Sequence, residues 1–151
     1  FEEIVGSAIR DTQRSLAHHH VKLDIAPNLP VVDIDEVLIE RVLVNLLENA
    51  SKYTPAESTV IISAQVIADK LIVSVTDNGL GLPTGMESKI FEKFTRGITE
   101  SSTAGVGLGL AICRSIIEAH RGKIHAENMV PHGARFSFTI PINPPPVLPE
   151  H

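Results

Sequence analysis

The sequence predicts an α+β sandwich, a mixed and mostly antiparallel sheet covered on one face by helices. Three observations predict it. Short runs rich in Val and Ile come in adjacent pairs, as strands joined by tight connections do. Between them lie longer stretches with apolar residues at helical spacing. The two patterns alternate irregularly along a chain of 151 residues, long enough for one well-formed core.

The elements follow in order. Residues 2–18 place Ile4, Val5, Ala8, Ile9 and Leu16 at helical spacing. Residues 21–25 alternate and read as a short strand, after which Pro27 and Pro30 break the chain. Asp33 and Glu36 have capping-box spacing and open a helix expected to run to about Lys52. Residues 59–67 and 71–77 are two strands, with 68–70 as a tight connection. Residues 78–105 are irregular, broken by Gly and Pro. Residues 107–120 form a helix with Leu108, Ile112, Ile116 and Ala119 on one face, and 123–127 and 134–140 are the last strands. Five of the ten prolines fall in 141–149, so 143–151 reads as a disordered or polyproline-like tail behind one domain, 1–142.

Composition narrows the function. The net charge is −5, and no long basic run offsets it, which argues against a nucleic-acid partner. No apolar stretch reaches the roughly 20 residues that cross a bilayer, so no membrane contact is expected of this chain. The single cysteine, Cys113, excludes a disulfide framework, fits a reducing compartment and reads as a core thiol. No signal-peptide pattern is visible, and the chain begins at Phe1, so it is expected to be part of something longer.

Seven of the ten glycines lie between Gly79 and Gly109, and the chemistry-bearing motifs surround them. On the second helix, Asn45, Asn49 and Lys52 point one way, while Ile39, Leu43, Leu46, Leu47 and Ala50 point roughly opposite. Asparagine is a weak helix former, so two in mid-helix need a reason. The stripe fits either a solvated face or a face for a divalent metal and phosphate, since amide oxygens suit Mg²⁺ and lysine is a compact cation.

The second motif is Asp77-Asn-Gly79-Leu-Gly81-Leu-Pro83, directly after a strand. It reads either as an Asp/Asn-Gly turn or as a place where a ligand lies against the backbone, with Asp77 accepting a hydrogen bond from an exocyclic amine such as adenine's. The third is Gly105-Val-Gly107-Leu-Gly109, before a helix whose N–H groups and dipole favour an anion. Neither the dinucleotide fingerprint nor a Walker-type loop fits its spacing. Between these motifs stand Phe91, Lys93, Phe94 and Arg96. At least one phenylalanine is expected to plug the core, and Arg96, before a Thr/Ser/Gly-rich segment, suggests a lid that carries a cation. His18, His19 and His20 are adjacent and cannot converge on one metal from a helix.

In this order the motifs resemble the ATP-binding catalytic domain of sensor histidine kinases, within the group that includes type II topoisomerases, a heat-shock chaperone and mismatch-repair ATPases. Residues 45–53 resemble its N box, 77–81 its G1 box, 91–94 its F box, 105–110 its G2 box, and the region of Gly133 and Phe136 its last box. The runs DNGLGLP, FEKFTRG and GVGLGLAICR look most like the potassium-responsive Kdp-type kinases.

The resemblance implies a Bergerat-type α/β sandwich with a mobile ATP lid, and the cofactors ATP and Mg²⁺. It implies Asn49 as the Mg²⁺ ligand with Asn45 supporting it, Lys52 and Arg96 near the triphosphate, and Tyr53 beside the base. Asp77 would bind the adenine amine, Gly79 and Gly81 would line the base pocket, and Gly105, Gly107 and Gly109 would cradle phosphates. Lys93, Leu108 and Thr139 complete the implied nucleotide contacts. In the ATPase relatives the position of Asn45 is a glutamate that activates water; an amide cannot act as a base, which implies phosphoryl transfer to a protein nucleophile. Two alternatives stay open, an ATPase or chaperone module and a non-catalytic nucleotide-binding module.

None of the seven histidines is followed by an acidic residue, as the family's phosphoacceptor is. The resemblance therefore implies an upstream phosphoacceptor and dimerisation domain and a cognate response regulator as partners. It further implies a monomeric fragment of a homodimeric protein, and a cytoplasmic place beneath an inner-membrane sensor. One departure is minor: His120-Arg121-Gly122 stands where the family often has His-Gly-Gly.

Overall fold

The computed structural model describes residues 1–83, 85–87, 90–91 and 106–142, and of residues 106–108 the backbone alone. Among these residues the elements are α1 (Glu2–Asp11), β1 (His20–Ile25), α2 (Glu36–Tyr53), β2 (Thr59–Ile67), β3 (Lys70–Asp77), α3 (Val106–Ala119), β4 (Lys123–Asn128) and β5 (Ala134–Pro141). The strands form one sheet in the order β1-β2-β3-β5-β4, with β1 parallel to β2 and every other pair antiparallel. This is the mixed, mostly antiparallel sheet that the sequence predicts.

The side-chain period of two sets the faces. Val60, Ile62 and Ala64 of β2, Leu71, Val73 and Val75 of β3, and Phe136, Phe138 and Ile140 of β5 are all buried. The register puts them on a single face, where α2 and α3 pack, with α1 lying on α2. The other face carries Thr76 and Ser74 opposite Arg135 and Ser137, with the Arg135 Nε donating to the Thr76 hydroxyl. Ala68 and Asp69 join β2 to β3 with φ of 53° and 63°, a two-residue turn whose twist matches the strands it connects. Phe91 is the expected plug, buried edge-on against Phe136 with ring centroids 5.9 Å apart; Phe94 lies outside the described residues.

Three helix expectations need correction. The first helix stops at Asp11, because the Thr12 hydroxyl turns back onto the carbonyls of Ala8 and Ile9 and the chain continues in turns to His19. Leu16 is nevertheless buried, so its apolar spacing reports packing without helix. The face of α3 is also different: Leu110, Cys113, Ile116 and Ile117 are buried, whereas Ala119 is exposed. The N-cap of α2 is Asp35, whose carboxylate accepts from the Leu38 N–H, in place of Asp33.

The backbone N–H of Asp35 donates to Nε2 of His120 at 3.0 Å, while Nδ1 of that ring faces the Ile116 carbonyl at 2.8 Å. One imidazole thus ties the start of α2 to the end of α3. Asp35→Ala is expected to lower stability by about 1 kcal/mol, the usual worth of an N-cap, and Asp33→Ala by less than about 0.5 kcal/mol. Urea unfolding of the two variants checks this; equal losses would return the cap to Asp33.

Candidate functional site

The C-cap of α2 meets the turn after β3, where Thr54 stands beside Gly79, and the first turn of α3 meets the middle of α2, where Asn45 reaches Gly109. Asp77 is the fourth member of the helix-facing row Leu71, Val73, Val75. The strand that buries three apolar side chains therefore buries a carboxylate next, at 9% exposure. Its Oδ1 accepts the backbone N–H of Gly79 at 2.9 Å and of Ala134 at 3.3 Å. Oδ2 takes neither bond. Burial pushes the Asp77 carboxyl above the usual carboxylate range, and the two N–H donors offset part of that rise.

On α2, Ile39, Leu43, Leu46, Leu47 and Ala50 are buried as expected. The polar stripe beside them is graded: Asn49 is 7% exposed, Asn45 half-buried and Lys52 exposed. Asn49 is the unusual member, because its Oδ1 has no hydrogen-bond partner among the described residues. A buried amide oxygen left unpaired costs free energy and is rare in folded proteins. It is also a hard neutral donor of the kind Mg²⁺ takes, so the side chain present fits the implied ion.

The Asn45 amide donates to the Gly109 carbonyl at 3.4 Å, which holds the first turn of α3 against α2. That use as a donor, and its amide chemistry, leave it unable to accept a proton from water. Gly107 and Gly109 lie within α3 itself, which starts at Val106, so its first N–H groups come from the glycine-rich run.

Two glycines of the G1 segment are explained by neighbours that the sequence did not single out. A Cβ at Gly79 would stand 2.7 Å from Cγ2 of Thr54, the C-cap of α2. A Cβ at Gly81 would stand 2.7 Å from Oδ1 of Asn128, and φ there is +92°. Thr54 is itself held. Its hydroxyl donates to the Ala50 carbonyl at 2.6 Å, so at 2.8 Å it accepts from Nε2 of His19. His132 faces the Gly79 carbonyl at 3.2 Å through Nδ1. Thr54, His19, Asn128 and His132 carry no local sequence signal for this role; only the close approach of strand and helix ends reveals it.

Tyr53, at 45% exposure, lies at the open end of α2 beside Lys52. Thr139 is not brought to the site. It pairs with Ile72, five residues from Asp77 along β3, and alternates with the inward Phe138 and Ile140, so it belongs to the opposite face and end of the sheet. Lys93, Arg96 and Gly105 lie outside the described residues, as does the side chain of Leu108. No helix among the described residues is long and apolar enough to cross a membrane.

Known proteins are similar to this chain in sequence and fold. Residues 34–144 match the family described as histidine kinase-, DNA gyrase B-, and HSP90-like ATPase. The sensor protein KdpD of Escherichia coli (strain K12) is 46% identical over 149 residues, 99% of this chain and 17% of that protein. The chain thus spans about a sixth of the length of that relative. The solved catalytic domain of histidine kinase ThkA superposes with a TM-score of 0.82 at 30% identity, covering 94% of this chain and 92% of the other. ThkA has also been solved with the response regulator protein TrrA, at a TM-score of 0.77 and 27% identity over 95% of this chain and 40% of that one. Full-length ShkA in complex with AMPPNP matches 93% of this chain and 29% of its own, with a TM-score of 0.80 and 27% identity.

Proposed function

The chain belongs to the histidine kinase-, DNA gyrase B-, and HSP90-like ATPase family as a histidine kinase catalytic domain, and we propose that it binds Mg–ATP and presents the γ-phosphate to a histidine in an upstream dimerisation segment. The observation that carries the proposal is the open bonding capacity of Asp77. Its carboxylate is buried, one oxygen accepts two backbone N–H groups, and the other has no partner among the described residues, which leaves it for a donor from outside. The exocyclic amine of adenine is such a donor.

The remaining assignments follow from position. Thr54 rests on Gly79, and Asn49 lies five residues earlier on the same helix, about 7.5 Å along its axis. A nucleotide with its base on Asp77 therefore has Asn49 within reach of its phosphates. Asn49 would hold Mg²⁺ through Oδ1, and that ion, when bound, neutralises charge on the phosphates. Lys52, Lys93 and Arg96 are the proposed cations along the triphosphate, Tyr53 and Leu108 the proposed neighbours of the base, and Gly105, Gly107 and Gly109 the proposed donors of N–H groups to the phosphates. Thr139 is left out of this set because of its place on the open face.

Asn45 favours transfer over hydrolysis. Its amide is engaged with Gly109 and cannot activate water. Glu48 is about 60° away around the helix from Asn45 and does not replace it. The work of the chain is then positioning and charge neutralisation. The nucleophilic histidine belongs to the dimerisation segment, which makes the longer protein a homodimer. A response regulator receives the phosphate from it, in keeping with the ThkA–TrrA complex. ATP as donor puts this part of the sensor in the cytoplasm.

The longer protein incubated with γ-labelled ATP is expected to carry acid-labile, base-stable phosphate on a histidine, and this chain alone none. Label on a histidine of this chain, or none on the longer protein, would contradict the proposal.

A further inference from the structure

We infer that Asn128 is a positioning residue that latches the G1 segment and so sharpens the site's preference for adenine. The inference rests on the nucleotide reading above and adds to it the element that holds the base-facing backbone in place. Asn128 is the last residue of β4, opposite Ala134 of β5, on the same face as the inward Ala126. The Asp77 carboxylate accepts the Gly79 N–H, and the Ala134 N–H comes to the same oxygen. Asp77 and Asn128 therefore flank Ala134 from the two neighbouring strands and grip opposite ends of residues 79–82.

The grip of Asn128 is bidentate. Its Oδ1 accepts the Leu82 N–H at 2.6 Å and its Nδ2 donates to the Leu82 carbonyl at 3.0 Å. One carboxamide thereby supplies both bonds that a neighbouring strand would give Leu82, beyond the end of the sheet. Nδ2 also stands 3.5 Å from Oε2 of Glu87, whose Oε1 accepts the Gly85 N–H at 3.1 Å. The bareness of Gly81 belongs to the same device, since the Asn128 oxygen fills the space a Cβ would need. Between the two grips, the Gly79 carbonyl faces His132. A segment fixed at both ends presents its backbone to the base edge in one arrangement, and a rigid edge discriminates between bases better than a loose one.

The test titrates wild type, Asn128→Ala and Asn128→Asp with ATP and with GTP in the presence of Mg²⁺, and melts each nucleotide-free protein. Asn128→Ala is expected to weaken ATP binding by about threefold to tenfold, the worth of a neutral hydrogen bond, and to lower the ATP-to-GTP preference. Asn128→Asp keeps the shape but sets oxygen against the Leu82 carbonyl and Glu87, so it is expected to bind ATP more weakly than Asn128→Ala. The aspartate variant behaving as wild type, or a lowered melting temperature with the ATP-to-GTP preference unchanged, would overturn the role of Asn128. Failure of wild type to bind either nucleotide would instead overturn the site reading on which the inference rests.

Discussion

Asp77→Asn is expected to reduce affinity for adenine nucleotides by about a hundredfold while leaving the nucleotide-free protein as stable as wild type, or more so, at neutral pH. The two effects have separate causes. The amide oxygen of the variant stays with the N–H groups of Gly79 and Ala134, which fixes the new NH₂ on the ligand side. A donor then meets the donor amine of adenine, and a charge-assisted bond worth about 1.5–3 kcal/mol is lost. A base with a carbonyl in that position, as in hypoxanthine, is expected to lose less.

The stability effect follows from the sign of the pKa shift. Burial raises the Asp77 carboxyl above its ordinary value, so the folded protein holds that proton more tightly than the unfolded chain. The cost of ionising it is absent below the ordinary carboxylate value, grows as pH rises through the raised one, and is fully present above it. Asparagine removes that cost at neutral pH. By the same linkage, the nucleotide affinity of wild type declines as pH falls through the raised value, and that of the variant does not follow. Titration calorimetry and thermal melts across pH check both. Unchanged affinity would remove Asp77 from the base site.

Asn49→Leu is the second large effect. Leucine fills a similar volume, and the buried Oδ1 it replaces has no partner among the described residues. Removing an unpaired buried acceptor costs little and can relieve roughly 1–3 kcal/mol, so the variant is expected to melt at or above wild type without metal. Nucleotide affinity is expected to become independent of Mg²⁺, and phosphoryl transfer by the longer protein to fall by at least about a hundredfold. Comparing affinities in Mg²⁺ and in EDTA provides the check. A variant that unfolds, or that keeps the Mg²⁺ dependence, would show Asn49 to be a structural amide.

How much of this was legible before the structure depends on whether the deciding contact is local. The Val/Ile alternation located β2 to the residue and β3 to within one, because strand faces are written at period two. The buried face of α2 is written in the sequence in the same way, at period 3.6. Asp77 stood out because a carboxylate continued an apolar strand. Thr139 was readable as outward from its neighbours Phe138 and Ile140, and alternation within β5 overrules its assignment to the site.

The remainder is non-local. Asp33 and Asp35 both precede the helix, and only the tie from Asp35 to His120, 85 residues later, shows where the helix begins. The apolar spacing across residues 2–18 continued into turns because Leu16 packs as well from a turn as from a helix. Gly79 and Gly81 read in sequence as room for a ligand, and that Thr54 and Asn128 also stand against them appears only in the structure. An asparagine ending a strand reads as turn chemistry in sequence, and its bidentate grip on Leu82 appears only when β4 and the G1 segment are side by side.

The proposed nucleotide site is lined by the C-terminal half of α2, the turn after β3 and the first turn of α3. Its most direct test is calorimetric titration of this chain with a non-hydrolysable ATP analogue, with Mg²⁺ and then with EDTA. The expected result is saturable binding of one nucleotide per chain, weakened markedly by EDTA and by replacing adenine with guanine. No binding, or binding indifferent to both the metal and the base, would rule out a Mg–ATP site here.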